Sequence, residues 1–380
     1  MLRSLALLAA LLVLVGAAQA ATAAPRPDVR ARAALVADAE TGEILFAKNP
    51  DRRLPMASIT KLMTALLTTE STKPGDVVTI RGPAPSIGES TINLHAGERM
   101  TVRDLLAAAL VQSANDAAYA LATHVGGSVP RFVRMMNDRA RELGLDDTHY
   151  VVPDGLDTAG HYSSARDTLL LAREAMKSRL FRTTVRRRGG EIAGGRALYA
   201  WNDLLRTYPG AIGIKTGHTD LAGWSEVAAA ERDGITMYAV LLGGPTRAKR
   251  NQDLSALLDW GFDHYGRVQL IAAGRTYASA GVPFSSRRVP LVAAKGTEKV
   301  IRLGHPLVQR VFSPSTLDLP VRRGQRVGEI RVYDGDEMVA RRALVATVAV
   351  DDPSVQRRAR WYAGRALDEA TDMLSSLSPF

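Results

Sequence analysis

The chain is 380 residues long, has no cysteine and carries a formal net charge of +10 at pH 7. Without thiols there can be no disulfide, cysteine nucleophile or thiolate metal site, and the length allows a large core and two domains. The basic balance suits an anionic wall polymer or lipid head group; nucleic acid is the other common partner, but no nucleic-acid motif supports it.

Residues 1–20 read as a secretion signal. Arg3 supplies the positive start, Leu5 to Val15 is an apolar run, and Ala18-Gln19-Ala20 is a small-x-small cleavage site. The mature chain then begins near Ala21, keeps a charge of +9 because only Arg3 is lost (10 − 1), and is exported to the periplasm or the cell exterior. The run is too short for a comfortable membrane span, and no later segment is long and apolar enough to cross a bilayer.

The mature sequence opens with a strand at Ala33–Ala37, a Glu40-Thr41-Gly42 turn and a partner strand at Glu43–Ala47. From Ala57 to about Thr69 the pattern is helical and apolar or small almost all round, which predicts a buried helix. Thr101–Leu110 predicts a second helix, Ser113-Ala114-Asn115 a break, and Asp116–Val125 a third. Pro130–Leu143 is amphipathic, with Pro at its start and Gly144 at its cap. Ser163–Met176 is helical, and Arg186-Arg187-Arg188 reads as a loop running into Gly189 and Gly190. Strands are expected around Gly213–Lys215, Gly223–Ala230 and Thr236–Leu242, with a closing helix at Asn251–Trp260. Helices therefore lie between a first hairpin and late strands, as in one sheet with helices packed on it.

Beyond Gly266 the pattern changes to short β-branched runs separated by Gly and Pro, with Gly335 in a hairpin turn. These predict a small all-β domain over 268–350, after a first domain over 29–266. Residues 353–377 predict a helix with Val355, Ala359, Tyr362, Ala363, Ala366, Leu367, Ala370, Met373, Leu374 and Leu377 on one face. It is either an interfacial membrane helix giving peripheral contact or a helix docked on the β-domain or a partner.

Three short motifs carry the chemistry, each occurring once: Ser58-Ile59-Thr60-Lys61, Ser113-Ala114-Asn115 and Lys215-Thr216-Gly217. Ser58 and Lys61 lie three apart on one helix, so both leave the same face. A serine hydroxyl needs a base to become a nucleophile, and a lysine serves only if burial or a second cation, here Lys215, pulls its pKa down. Ser113 can bridge the base and a leaving amine. Asn115 can bind a substrate amide or hold Lys61, and Asp116 suits a helix cap. Lys215 is a compact point charge for a carboxylate, Thr216 adds a hydroxyl, and Gly217 lets a substrate backbone lie along the strand. Arg250 is a second candidate for that carboxylate. The seven histidines form no His-x-x-x-His pair, so no metal site is expected, and no Gly-x-Ser-x-Gly elbow supports a Ser-His-Asp triad.

This motif set resembles that of the low-molecular-weight penicillin-binding proteins, the serine-type D-alanyl-D-alanine carboxypeptidases. Further segments look like family signatures: Gly155-Leu156-Asp157 with Gly160 to Asp167, Gly213 to Asp220, and Leu257 to Phe262. The likeness runs from about Ala33 to Val350. It implies an α/β-type transpeptidase-like domain with an antiparallel sheet flanked by helices, then a small all-β domain and a C-terminal amphipathic helix. It implies Ser58 as acylated nucleophile, Lys61 as base, Ser113 as shuttle and Lys215 with Arg250 for the terminal carboxylate. The oxyanion would lie between the backbone N–H groups of Ser58 and His218. The implied partners are peptidoglycan stem peptides ending in D-Ala-D-Ala, with β-lactams as covalent inhibitors, and no cofactor. A serine β-lactamase is the main alternative. Its deacylating glutamate has a near match at Glu142-Leu143-Gly144-Leu145-Asp146, but there Glu142 falls on a helix end. A non-catalytic wall-binding or β-lactam-sensing protein is the other alternative, and the intact Ser58, Lys61, Ser113 and Lys215 argue against it.

Overall fold

The computed structural model describes residues 8–15 and 25–376. One compact unit covers Ala24–Asp263 and a second begins at His264 and includes Leu8–Val15. The first unit is built on a five-stranded antiparallel sheet in the order Ile44–Lys48, Ala33–Asp38, Ile235–Gly244, Gly223–Arg232, Ala211–Thr219. Alternate residues of Ile235–Gly244 serve opposite faces, as the pleat requires. Tyr238, Val240 and Leu242 join a core with Leu62, Leu66 and Leu105. Met237 instead meets Gly261 of the closing helix Arg247–Phe262, where an added methyl would stand 3.3 Å from its sulfur.

The helix Lys61–Ser71 is buried through its first eight residues, as its lack of a polar face predicts. Each leucine shut away there contributes roughly 1.5–3 kcal/mol. The helix Val102–Ala107 does not simply stop. It widens into a π-helical turn over Ala108–Gln112 and ends on Ser113 in the left-handed conformation (φ 68°), before helix resumes at Asn115–Gly126. The amphipathic helix spans Val129–Glu142, with Gly144 at φ 69° and the Leu145 N–H closing on the Ala140 carbonyl, so Gly144 does the capping expected of it. Arg186-Arg187-Arg188 form a loop, as read, between a helix at Arg179–Val185 and a hairpin of Gly189–Ile192 with Arg196–Tyr199 that takes up the two glycines. Local sequence there is weakly periodic, and the pairing is what reveals the strands.

The second unit holds a six-stranded antiparallel sheet ordered Leu8–Val15, Leu307–Pro314, Arg326–Asp334, Glu337–Ala346, Arg288–Ala293, Thr276–Gly281, beside a pair of Tyr265–Ile271 with Thr297–Arg302. Its core gathers Leu270, Leu291, Val311, Ile330, Val332 and Leu344. Leu8–Val15, within the apolar run expected to belong to a secretion signal, pairs as a strand along Leu307–Pro314, because a Leu/Val-rich run can add to an open sheet edge. The cleavage residues Ala18 to Ala20 lie outside the described residues. A terminal helix runs over Val355–Ser376; Tyr362 packs edge-on against Phe284 with ring centres 5.8 Å apart, while Val355, Leu367 and Met373 are exposed. Leu377 lies outside the described residues.

Candidate active site

Ser58 sits in a single 3₁₀ turn, Ala57–Thr60, that leads into the Lys61–Ser71 helix. The turn is held in an unusual shape: Ala57 has φ 49°, a left-handed conformation that costs a non-glycine residue roughly 1–3 kcal/mol. Three neighbours enforce it. At Gly155 (φ 92°) an added Cβ would stand 1.9 Å from the Ala57 carbonyl oxygen, so only glycine fits. At Gly217 a Cβ would lie 3.0 Å from both the Met56 carbonyl and the Ser58 nitrogen, so the absence of a side chain brings the edge strand against the Ser58 amide. The buried His161 accepts at Nδ1 from the Val151 N–H (3.0 Å), which leaves the proton on Nε2 to donate to Thr60 Oγ1 (2.7 Å), and Thr60 Oγ1 donates to the Ala57 carbonyl (2.8 Å). Burial, then His149, brings the His161 pKa down to about 4, so this ring is a neutral brace at physiological pH.

Lys61 is fully buried. Its Nζ lies 2.7 Å from Asn115 Oδ1, 2.8 Å from the Asp154 carbonyl and 2.8 Å from Ser58 Oγ. The amide and carbonyl oxygens can only accept, so they take two N–H bonds. In the neutral amine this leaves the lone pair for the Ser58 hydroxyl. Burial lowers the Lys61 pKa to about 8, against the opposing pull of Asp154, Glu89 and Asp116. Lys61 and Lys215 are both buried and repel one another when both are charged, a second influence that keeps this pair from being doubly protonated.

Lys215, on the edge strand Ala211–Thr219, is equally buried; its Nζ donates to Ser113 Oγ (2.9 Å) and to the Thr216 carbonyl (2.8 Å). Burial first, then Lys61, puts its pKa well below the usual lysine range, Glu226 opposing and Arg250 assisting. The left-handed Ser113 is thereby aimed at the strand. The Ser113 turn is tied down by the Asn115 N–H to the Ser90 carbonyl (2.7 Å) and the Ser90 hydroxyl to the Gln112 carbonyl (2.9 Å). Asn115 Nδ2 donates to the Gly88 carbonyl (3.1 Å), so both ends of that amide are engaged within the protein. Asp116 is not the helix cap expected of it. Its carboxylate accepts from the Ile92, Leu94 and Ala117 N–H groups and pins the 89–94 loop beside the site.

Ser58, Ser113, Asn115, Thr216, Gly217, His218 and Arg250 all line one groove of about 260 Å³, with Lys61 and Lys215 behind its floor. A larger hollow of about 510 Å³, around Leu170, Arg173 and Tyr238, contains none of them. Arg250 is almost wholly buried. Its Nε lies 2.9 Å from Glu226 Oε2 and 3.0 Å from Asn251 Oδ1, and its Nη2 2.6 Å from Asn251 Oδ1 and 3.4 Å from Asp203 Oδ2. Asp203 also takes a forked bond from Arg247 (2.7 and 2.6 Å), which is the main reason its pKa is lowered. The groove wall includes residues the motifs do not signal: Glu89, Leu156, Trp201, Trp224 and Arg247. Trp224 stacks under the His218 ring at 4.0 Å between centres. Glu142, by contrast, ends its helix, is exposed, pairs with Arg139 at 3.1 Å and does not line the groove.

Comparison with known proteins agrees with this geometry. The D-alanyl-D-alanine carboxypeptidase family matches residues 19–246. The D-alanyl-D-alanine carboxypeptidase DacF of Bacillus subtilis is 31% identical over 329 residues, covering 83% of this chain and 85% of its own. Penicillin binding protein 6B of Escherichia coli is similar in structure with a TM-score of 0.64 at 30% identity, over 86% of this chain and 98% of that one. Penicillin-binding protein D2 of Listeria monocytogenes, solved in its ampicillin-bound form, gives 0.58 at 32% identity, over 63% of this chain and all of that one. With its sheet, its three motifs and these relatives, the chain belongs to the D-alanyl-D-alanine carboxypeptidase family, the serine peptidases also called low-molecular-weight penicillin-binding proteins.

Proposed function

We propose that the protein is exported, that residues 1–20 are its leader, and that the domain over 29–266 removes the terminal D-Ala from peptidoglycan stem pentapeptides through an acyl-enzyme on Ser58. The observation that carries this reading is the Lys61 amine, held by two obligate acceptors with its lone pair left for Ser58 Oγ. Ser58 Oγ attacks the carbonyl carbon of the D-Ala-D-Ala bond while Lys61 takes its proton. The oxyanion lies between the Ser58 and His218 N–H groups. Ser113 passes a proton to the departing amine of the terminal D-Ala. Thr216, Lys215 and Arg250 hold the substrate carboxylate, and the stem lies along the free edge of Ala211–Thr219. Water then hydrolyses the ester and regenerates Ser58.

β-Lactams enter the same path and stop at the ester, because their opened ring stays tethered and keeps water out. The exposed face of the Val355–Ser376 helix supports a peripheral membrane contact, with the 268–350 domain as its base.

The test is purified mature protein with a pentapeptide ending in D-Ala-D-Ala, scored for free D-Ala, beside a fluorescent penicillin scored for labelling and turnover. D-Ala release should greatly exceed penicillin hydrolysis, and Ser58→Ala should lose both label and release, by about 10³-fold or more. Penicillin turnover equal to D-Ala release would favour the β-lactamase. Labelling without any D-Ala release would favour the sensor, and a label on another serine would end the assignment.

A further inference from the structure

One buried acid stands beside the groove and has no part in the acyl-transfer path. Glu226 lies on Gly223–Arg232, directly opposite Thr216 of the edge strand, and is completely buried. Neither carboxylate oxygen has a hydrogen-bond partner among the described residues, although Oε2 stands 2.9 Å from Arg250 Nε. The approach is thus electrostatic and not an aligned hydrogen bond. Arg250 spends Nε and Nη2 on Asn251, Asp203 and this contact; Nη1 makes no hydrogen bond among the described residues, and the residue lines the groove. An ionised Glu226 therefore competes with any incoming carboxylate for the same guanidinium.

We propose that Glu226 is a positioning residue for Arg250 whose own charge sets how strongly the groove holds a ligand carboxylate: neutral, it leaves the full cation to the ligand; ionised, it cancels part of it. The inference rests on the reading of the groove as a carboxylate-holding site. The charged groups facing Glu226 are Arg250 and Arg247 from the closing helix, Lys215 from the edge strand and Asp203 from the turn before Leu204, while its partner on the third strand is the apolar Leu241. Burial is the largest influence on it, outweighing the pull of Arg250, and raises its pKa to about 7. Glu226 therefore gains its charge as pH rises, so preference for a carboxylate ligand should weaken in the same direction.

The experiment compares acylation of the whole mature protein by benzylpenicillin and by its uncharged methyl ester, followed by intact mass. Both react at Ser58 through Lys61, so their ratio cancels the titration of the base. In the wild type the acid-to-ester ratio should fall about tenfold as pH rises through Glu226's titration range. In Glu226→Gln and in Glu226→Leu it should be flat with pH, at or above the wild-type value at the acid end; the second variant covers the case in which the first does not fold. A flat wild-type ratio would overturn the proposal. So would a ratio that still falls in both variants, since Lys215 would then be the titrating group. Failure of both compounds to label Ser58 would take the proposal down together with the acyl-enzyme reading, and is told apart from the other outcomes by the missing label.

Discussion

Two lysine–serine pairs meet in this groove, and they are built in opposite ways. Ser58 and Lys61 are three residues apart in a single turn, so the backbone sets their spacing before any tertiary contact forms. Ser113 and Lys215 are 102 residues apart, and their 2.9 Å contact exists only because a π-helical turn throws Ser113 left-handed against an edge strand. The environments differ as well. Lys61 has two acceptor oxygens that suit a neutral amine aimed at its serine. Lys215 has one carbonyl and a hydroxyl, and carries the repulsion of both neighbouring cations. The first pair is arranged so that the lysine can take its serine's proton, and in the proposed path the second passes a proton along.

The comparison breaks most severely at the base. Lys61→Arg should lower acylation by about 10³-fold, since a guanidinium cannot give up its proton to become a base. In the wild type the rate of acylation by the uncharged penicillin ester should rise with pH through about 8 and level off above it, because the raised pH empties the Lys61 proton. A flat stopped-flow profile, or an arginine variant of near-normal rate, would remove Lys61 from that role.

Ser113→Ala sharpens the contrast. It deletes the relay and leaves the local pair alone, so acylation should drop by about 10²-fold while the pH midpoint stays near 8. A shifted midpoint would mean that the two pairs are not separable.

The smallest change is expected at Glu142. It is exposed and joined to Arg139 outside the groove, so Glu142→Gln should leave D-Ala release and penicillin turnover within about twofold of the wild type. Selective loss of penicillin turnover in that variant would revive the β-lactamase reading.

The same contrast explains what could be read from the sequence. The opening hairpin, the all-round apolar helix, the capped Val129–Glu142 helix and the late strands follow from local periodicity and caps, which is why their boundaries fall within a few residues of expectation. The Ser58–Lys61 spacing is legible for the same reason. What local sequence does not carry is the pairing of distant groups. Nothing in Ala108–Gln112 announces a π-turn, and Asp116 looks like a cap until the 89–94 loop arrives to take its oxygens. Glu89, Trp201, Trp224 and Arg247 enter the groove through tertiary contacts, and the strand Gly223–Arg232 that holds Glu226 gives no sign of the arginine beside it.

The turn that carries Ser58 has one more consequence. Gly155, Gly217 and His161 close on it from three sides; the first leaves no room for a single added carbon and the second only a tight fit. In a library of all single substitutions, positions 57–61, 155 and 217 should therefore accept almost nothing. Tolerance should begin at the groove's rim, where Trp201 is 44% exposed. Divergence among descendants of this chain is thus channelled: the reacting atoms stay fixed, and new ligand preferences can arise only from the residues that frame them.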